Sequence, residues 1–274
     1  DLHSFPTRRS SDLEPVDDGS TDDGAGTAIV NEMAKDHSIR LLAKKNGGQG
    51  SARNTGIAAC SSSHIALLDQ DDIWYEDHLA ILKRPFLKGH RHKNLGLVYG
   101  NMDRIDKLGR MVCRNFLEQM PSPHPKTSLL QCLSQDMYIL PGASLFTKAA
   151  WELVGGFDER LSGYEDDDLF IRMFSARIDS VFLKKAVFKW RIYSDSTSYS
   201  PRMAKSRMIY FHKLIASYPD EPRLNLHWSR DAIGPRFFHI LSCEFIDSSR
   251  LRDLPGMTKA WSDIKPVLDR KSVV

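Results

Sequence analysis

Ile65-Ala66-Leu67-Leu68-Asp69-Gln70-Asp71-Asp72 is a short apolar run that ends in three carboxylates within four residues. Such a run reads as a buried strand, and open α/β sheets place their ligands outside the C-terminal ends of strands. Carboxylates held this close repel one another, so a fold that keeps them together commonly supplies a cation. Hard oxygen donors of this kind suit Mg²⁺ or Mn²⁺. A polar turn after a strand, with no metal, has the same local appearance. The segments on either side therefore have to decide between the two.

Upstream, Pro15-Val16-Asp17-Asp18 reads as a strand end running into the turn Gly19-Ser20-Thr21-Asp22. Ala28, Ile29, Met33 and Ala34 then mark one helical face, and residues 39–43 read as a second strand. Gly47, Gly48 and Gly50 punctuate a loop before a small-residue helix over about 51–60. Downstream, a helix over about 76–87 and a strand over 97–101 complete a βαβαβαβ run. That alternation predicts an α/β fold with a mostly parallel sheet covered on both faces. Residues 111–116 can pair back onto the preceding strand, and a helix is expected over about 126–133. Strands over 140–146 and 181–190 enclose helices over 148–154 and 166–176. Beyond Pro201, Met208, Ile209, Phe211, Leu214 and Ile215 recur at helical spacing.

The 274 residues are 41% hydrophobic and 27% charged, a globular composition with enough apolar material for a sizeable core. The net charge of +3 is small and its basic residues are dispersed, so nucleic acid is not an expected partner. No apolar stretch approaches the roughly 18 residues of a membrane span. Cys60, Cys113, Cys132 and Cys243 form no CxxC pair, which argues against a structural zinc site; free thiols in a reducing cytosol are the economical reading.

Five motifs, in order, carry a resemblance. They are Val16-Asp17-Asp18-Gly19-Ser20-Thr21-Asp22, Asn46-Gly47-Gly48-Gln49-Gly50-Ser51-Ala52-Arg53-Asn54-Thr55-Gly56, Leu68-Asp69-Gln70-Asp71-Asp72, Gly155-Gly156-Phe157-Asp158-Glu159 and Glu165-Asp166-Asp167-Asp168-Leu169. In order and approximate spacing the chain resembles the family 2 glycosyltransferases over about residues 14–198. The resemblance implies a GT-A fold and an inverting transfer of a sugar from a nucleoside-diphosphate donor of UDP or dTDP type. A glycan or lipid-linked acceptor, a role in surface polysaccharide or envelope synthesis, and a peripheral membrane contact are part of the same expectation.

By resemblance, Asp18 touches the base, Asp71 ligates a divalent metal that bridges the diphosphate, and Asp166 is the base that accepts the acceptor's proton. Asp69 is expected to orient ribose or a metal-bound water, and Glu165 to contact the acceptor. Arg53 offers a cationic fork near phosphate or base, while the loop before it lacks P-loop spacing. Other readings stay open at several positions. Ser20 or Asp22 can start the next helix, and Asp72 can cap the helix after Trp74. Asp167 and Asp168 suit a helix N-terminus through the macrodipole. Lys44 and Lys45 read as a solvated face, and Phe157 as core.

Three departures from the family stand out. No apolar strand with a Pro-Thr-Tyr-Asn-like turn precedes Glu14, so the nucleotide pocket is expected to be incomplete. The strands beside that gap would then lack a partner, at about 1–3 kcal/mol per buried unpaired backbone group. Tyr193 stands where the family often has a metal-binding His. Asp167 replaces a bulky apolar residue, which is expected to make the acceptor side more polar or to leave the carboxylate in solvent. The ends, 1–13 and 269–274, have no structural period and resemble translated sequencing adapter. The expected organisation is therefore a GT-A domain over 14–200 and a helical region over 201–268. A nucleotidyltransferase and a degenerate nucleotide-sugar binding module without turnover are the competing functions.

Overall fold

The structure is a computed structural model that describes residues 13–35, 39–87, 93–193 and 201–269. The adapter-like ends lie outside the described residues except for Leu13 and Asp269. Strand β1 (Val16–Asp17) pairs in parallel with β2 (Leu42–Ala43), and Leu13 bridges to Ile39 in the same sense. Helix α1 (Ala25–Met33) connects them and buries none of its residues. The chain continues through α2 (Gln49–Ala59), β3 (His64–Ala66), β4 (Ile73–Trp74), α3 (His78–Leu87), β5 (Leu95–Ile105), β6 (Met111–Cys113), α4 (Leu129–Ser134), β7 (Ser144–Thr147) and α5 (Lys148–Leu153). Helix α6 (Glu165–Ser175), β8 (Asp179–Arg191) and the helices α7 (Pro201–Ser217), α8 (Gly234–Arg250) and α9 (Leu254–Leu268) complete it.

Six strands form the main sheet in the order β3-β7-β5-β8-β4, with β6 paired to β5; β1 and β2 form a separate pair. The expected α/β layering is present, but the sheet is mixed rather than mostly parallel. Only β5 and β8 run parallel within it, while β3–β7, β5–β7, β4–β8 and β5–β6 are antiparallel. The reason is that a strand buried on both faces reads as a continuous apolar run, and such a run carries no mark of its direction. One reversal is local: the Asp106 carboxylate accepts N–H bonds from Leu108 and Arg110, both at 2.9 Å, and turns β5 back into β6. Another break lies at Pro141, which lacks an N–H donor; residues 141–143 form a 3₁₀ turn and the expected strand begins only at Ser144.

Strand β5 lies between two cores. Leu97 and Tyr99 face a large cluster that includes Phe170 of α6, Tyr210 and Phe211 of α7, Phe237 of α8 and Ile264 of α9. Val98 and Met102 face a second cluster with Ile81 and Leu82 of α3 and Val187 and Phe188 of β8. The β5–β8 register slips between Gly100↔Leu183 and Asn101↔Ala186, so Lys184 and Lys185 are extra residues in β8. Such a bulge re-aims the rest of the strand. It carries the end of β8 over the turn at 69–72.

At Gly142 the second core leaves no room for a side chain. A Cβ there would lie 2.5 Å from the Phe188 ring, and the Gly142 carbonyl accepts the Trp74 indole N–H at 2.9 Å. Gly142→Ala is expected to destabilise the fold by about 1–3 kcal/mol through overpacking. Chemical denaturation checks this, and an unchanged midpoint would contradict it.

Candidate functional site

The acidic turn is held from the far end of the sheet. Its own closure is one bond, from the Asp72 N–H to the Asp69 carbonyl at 3.1 Å. Arg191, the last residue of β8, donates its backbone N–H to Asp72 Oδ1 at 2.8 Å and its Nε–H to the Asp71 carbonyl at 2.6 Å. Asp72 is therefore not a helix cap: α3 starts only at His78, and the carboxylate instead satisfies a backbone N–H where β8 leaves the ladder. Burial, with the charges of Asp71 and Asp69 beside it, pushes the Asp72 carboxyl up to about 7 despite the Arg191 N–H bond. Asp71 Oδ2 accepts a hydrogen bond from the Tyr193 hydroxyl at 3.3 Å.

The glycine-rich loop is shaped by Asp18. Its carboxylate accepts the N–H groups of Gly47 at 3.0 Å and Gly48 at 2.7 Å, and the Lys44 ammonium at 2.7 Å. Lys44 is thus a loop anchor rather than part of a solvated face, because the Asp18 charge draws it inward. Gly48 then takes φ 87°, a left-handed value that suits glycine, and α2 begins. Its first turn presents Gln49, whose side-chain amide donates to Asp69 Oδ2 at 2.9 Å.

One turn later comes Arg53, only 8% exposed. One of its terminal nitrogens donates to both Asp69 oxygens, at 3.0 and 2.8 Å, and the other to Glu165 Oε1 at 3.0 Å. The guanidinium also lies over the Phe157 ring, 5.5 Å from its centre. Burial opposes the Arg53 charge, but Asp69, Glu165 and Asp166 more than offset it and raise its pKa. The fork expected near phosphate or base is directed here at two carboxylates.

Helix α6 opens with four acidic residues in a row, and each has a different environment. Glu165 is bound by Arg53 and by the Gly163 N–H at 2.5 Å. Asp167 turns inward, where it accepts from the Met137 N–H at 2.7 Å, the Tyr210 hydroxyl at 2.7 Å and Arg236 at 2.8 Å. This corrects the expectation of a polar acceptor side or a solvated carboxylate: partners from α7 and α8 make burial of Asp167 favourable. Asp168 pairs with Arg172 at 2.6 Å and with Lys213 at 2.7 Å. Asp166 has no ion pair among the described residues and accepts the N–H of Asp167 at 2.8 Å. Burial, then the charges of Glu165 and Asp167, raise its carboxyl well above the usual carboxylate range, against the pull of Arg53.

The loop ahead of α6 is pinned to α2 by Asn54, which exchanges two 2.9 Å bonds with the backbone of Phe157 and donates a third to Glu159. Arg53, Asp69 and Glu165 are thus brought into one network, with Asp166 beside Glu165 within reach of the Arg53 charge. Asp71 lies on the adjoining turn, and Asp18 behind the glycine loop. Gln49, Asn54 and Arg191 are supporting residues that motif order did not single out as site residues. Gln49 and Asn54 lie inside the second motif, whereas Arg191 has no local mark of its distant contact.

The donor set suits a hard divalent cation that shares its shell with a substrate. Both Asp69 oxygens are engaged by Arg53 and Gln49, while Asp71 and Asp72 each keep an oxygen with no hydrogen bond to a described residue. No group of three or more protein ligands is assembled among the described residues. One or two carboxylates completed by water and phosphate is how Mg²⁺ is usually held.

Residues 14–153 match the family described as "Glycosyl transferase family 2". A chondroitin synthase of Escherichia coli is 32% identical over 166 residues, which cover 60% of this chain and 22% of that protein. A chondroitin synthase of Pasteurella multocida (strain Pm70) is 26% identical over 182 residues, 66% of this chain and 17% of that protein. The chain therefore spans about a fifth of the length of these curated relatives. Among solved structures, S. aureus TarS 1-349 in complex with UDP-GlcNAc superposes with a TM-score of 0.63 at 16% identity, covering 93% of this chain and 72% of that one. The mannosyltransferase PcManGT from Pyrobaculum calidifontis, in complex with GDP-Man and Mn²⁺, gives 0.57 at 16% identity, covering 96% of this chain and 74% of that one. These likenesses establish the GT-A fold.

Replacing Arg53 with Met would leave two carboxylates facing each other without their cation. The variant is expected to lose about 3–5 kcal/mol of stability, the scale of a broken buried pair. Urea denaturation checks it, and a loss below about 1 kcal/mol, the scale of an exposed pair, would show that the network does not hold the fold.

Proposed function

The chain belongs to glycosyl transferase family 2, and from that premise we propose that it moves a sugar from a nucleoside-diphosphate donor to an acceptor hydroxyl with inversion. Asp166 is the observation that carries this reading. It is the one carboxylate of the acidic run without a cation of its own among the described residues, and its proton affinity is raised. A positioned carboxylate whose proton affinity is raised is suited to accept a proton as general base. The acceptor oxygen attacks the anomeric carbon as the bond to the diphosphate breaks, and the hydroxyl proton passes to Asp166. Attack from the face opposite the leaving group inverts the anomeric configuration.

Asp71, with Asp72 beside it, would hold Mg²⁺ or Mn²⁺. The cation would supply charge neutralisation at the leaving diphosphate. Asp69, fixed by Gln49 and Arg53, suits a ribose hydroxyl or a metal-bound water. Asp18 suits the nucleoside through the loop it shapes, and Glu165 suits the acceptor. A UDP- or dTDP-type donor is the proposed substrate class. The similarity to chondroitin synthases supports a glycan acceptor and a place in polysaccharide or envelope-glycan synthesis. A peripheral membrane contact is proposed on α9, which exposes Leu254 and Trp261; among the described residues no helix is long and apolar enough to cross a membrane.

The test is nucleotide release and sugar transfer from UDP-sugars, with and without Mn²⁺. Asp166→Asn is expected to lower kcat by about 10²- to 10⁴-fold while donor binding by calorimetry is retained. Asp71→Asn is expected to abolish the Mn²⁺ dependence of donor binding, and NMR of the product should show the opposite anomer to the donor. Wild-type turnover in Asp166→Asn would sink the assignment. Metal-dependent donor binding without any turnover would favour a binding module instead.

A further inference from the structure

Asp167 has no role in the transfer step, yet it draws its donors from more separate parts of the chain than any other carboxylate of the acidic run. It is 8% exposed and receives three donors from three parts of the chain: the Met137 N–H before β7, Tyr210 on α7 and Arg236 on α8. Arg236 is itself 5% exposed and also pairs with Asp136 at 2.5 Å. Its guanidinium lies over the rings of Tyr210 and Phe237, 5.5 and 5.4 Å from their centres. One terminal nitrogen is thus held by two carboxylates and the guanidinium face by aromatic rings, while the buried Nε has no hydrogen-bond partner among the described residues. Lys126, 5% exposed, adds a fourth charge to the same buried group.

Asp166 thus stands between two anchored neighbours. Glu165 is tied to Arg53 on α2, and Asp167 is tied to α7 and α8. Asp167 also donates its backbone N–H to Asp166 Oδ1, so the residue that Arg236 holds is in direct contact with the Asp166 carboxylate. The charged groups that face Asp166 are Glu165 and Asp167 on its own helix and Arg53 from α2. Arg236 is linked to Asp166 through Asp167, whose carboxylate it pairs with and whose N–H reaches Asp166. We propose that Arg236 is a positioning residue which, through Asp167, sets the orientation and proton affinity of Asp166, so that the C-terminal helices are part of the transfer machinery. The inference rests on the assignment of Asp166 as base.

Charge sets the direction of each effect. Without Arg236, the Asp167 carboxylate is still held by Tyr210 and the Met137 N–H, but its charge acts on Asp166 unopposed and favours the protonated form. Neutralising Asp167 removes that charge and has the opposite effect. The experiment is a carboxyl ¹³C NMR titration of the full chain labelled at Asp, with the Asp166 signal identified through Asp166→Asn. Arg236→Met is expected to raise the Asp166 midpoint by about one pH unit, the scale of a charge at close quarters, and Asp167→Asn to lower it. Arg236→Lys should return it toward the wild-type value. Wild-type midpoints in both variants, or shifts of the same sign, would overturn the inference. If Arg236→Met does not fold, Asp167→Asn decides: a lowered midpoint supports the coupling and an unmoved one ends it. Parallel assays of nucleotide release separate the two readings. A wild type with no transfer would sink the glycosyl-transfer reading, whereas normal transfer with an unmoved midpoint would sink this inference alone.

Discussion

The bifurcated ion pair of Arg53 with Asp69 and Glu165 is the constraint on which the site depends. A guanidinium taken out of water costs several kcal/mol, and the cost is offset only when paired carboxylates and good geometry replace the lost hydration. Here the two carboxylates come from the turn after β3 and from the first turn of α6, 96 residues apart by number (165 − 69). Arg53 therefore fixes the distance between the acidic turn after β3 and the start of α6. The face of Phe157 and the bonds from Asn54 to the Phe157 backbone hold the third wall against it.

Around that pair the fold distributes negative charge among different partners. Four consecutive carboxylates at the start of α6 would repel one another if left in one environment. Instead Glu165 is assigned to Arg53, Asp167 to Arg236 and Tyr210, and Asp168 to Arg172 and Lys213. Asp166 is left with a raised proton affinity because it is buried, its neighbours are charged and it has no ion pair of its own among the described residues. The same logic applies to the turn at 69–72, where Arg191 supports the backbone while the charges of Asp69 and Asp71 act on Asp72.

Much of this is legible in the order of residues alone. The apolar run before Asp69, the glycine loop before α2 and the acidic start of α6 are local signals, and their succession points to a GT-A glycosyltransferase. Helix α7 is readable from the spacing of Met208, Phe211 and Leu214. The sense of the strands is not, because Leu95–Ile105 and Ser144–Thr147 are buried runs that look alike in either direction. Nor is the inward turn of Asp167, since a carboxylate at a helix N-terminus is equally at home in solvent.

Residue type and short spacing suffice for the kind of elements and the family, so these are properties of the linear chain. Which charges meet is a property of the folded one. Lys44 reaching Asp18, Arg191 clasping the acidic turn and Arg236 holding Asp167 all join residues distant in the chain, and no local pattern encodes them. Their physical cause is burial: once packing removes water from a charged group, only the partner that the fold delivers can satisfy it.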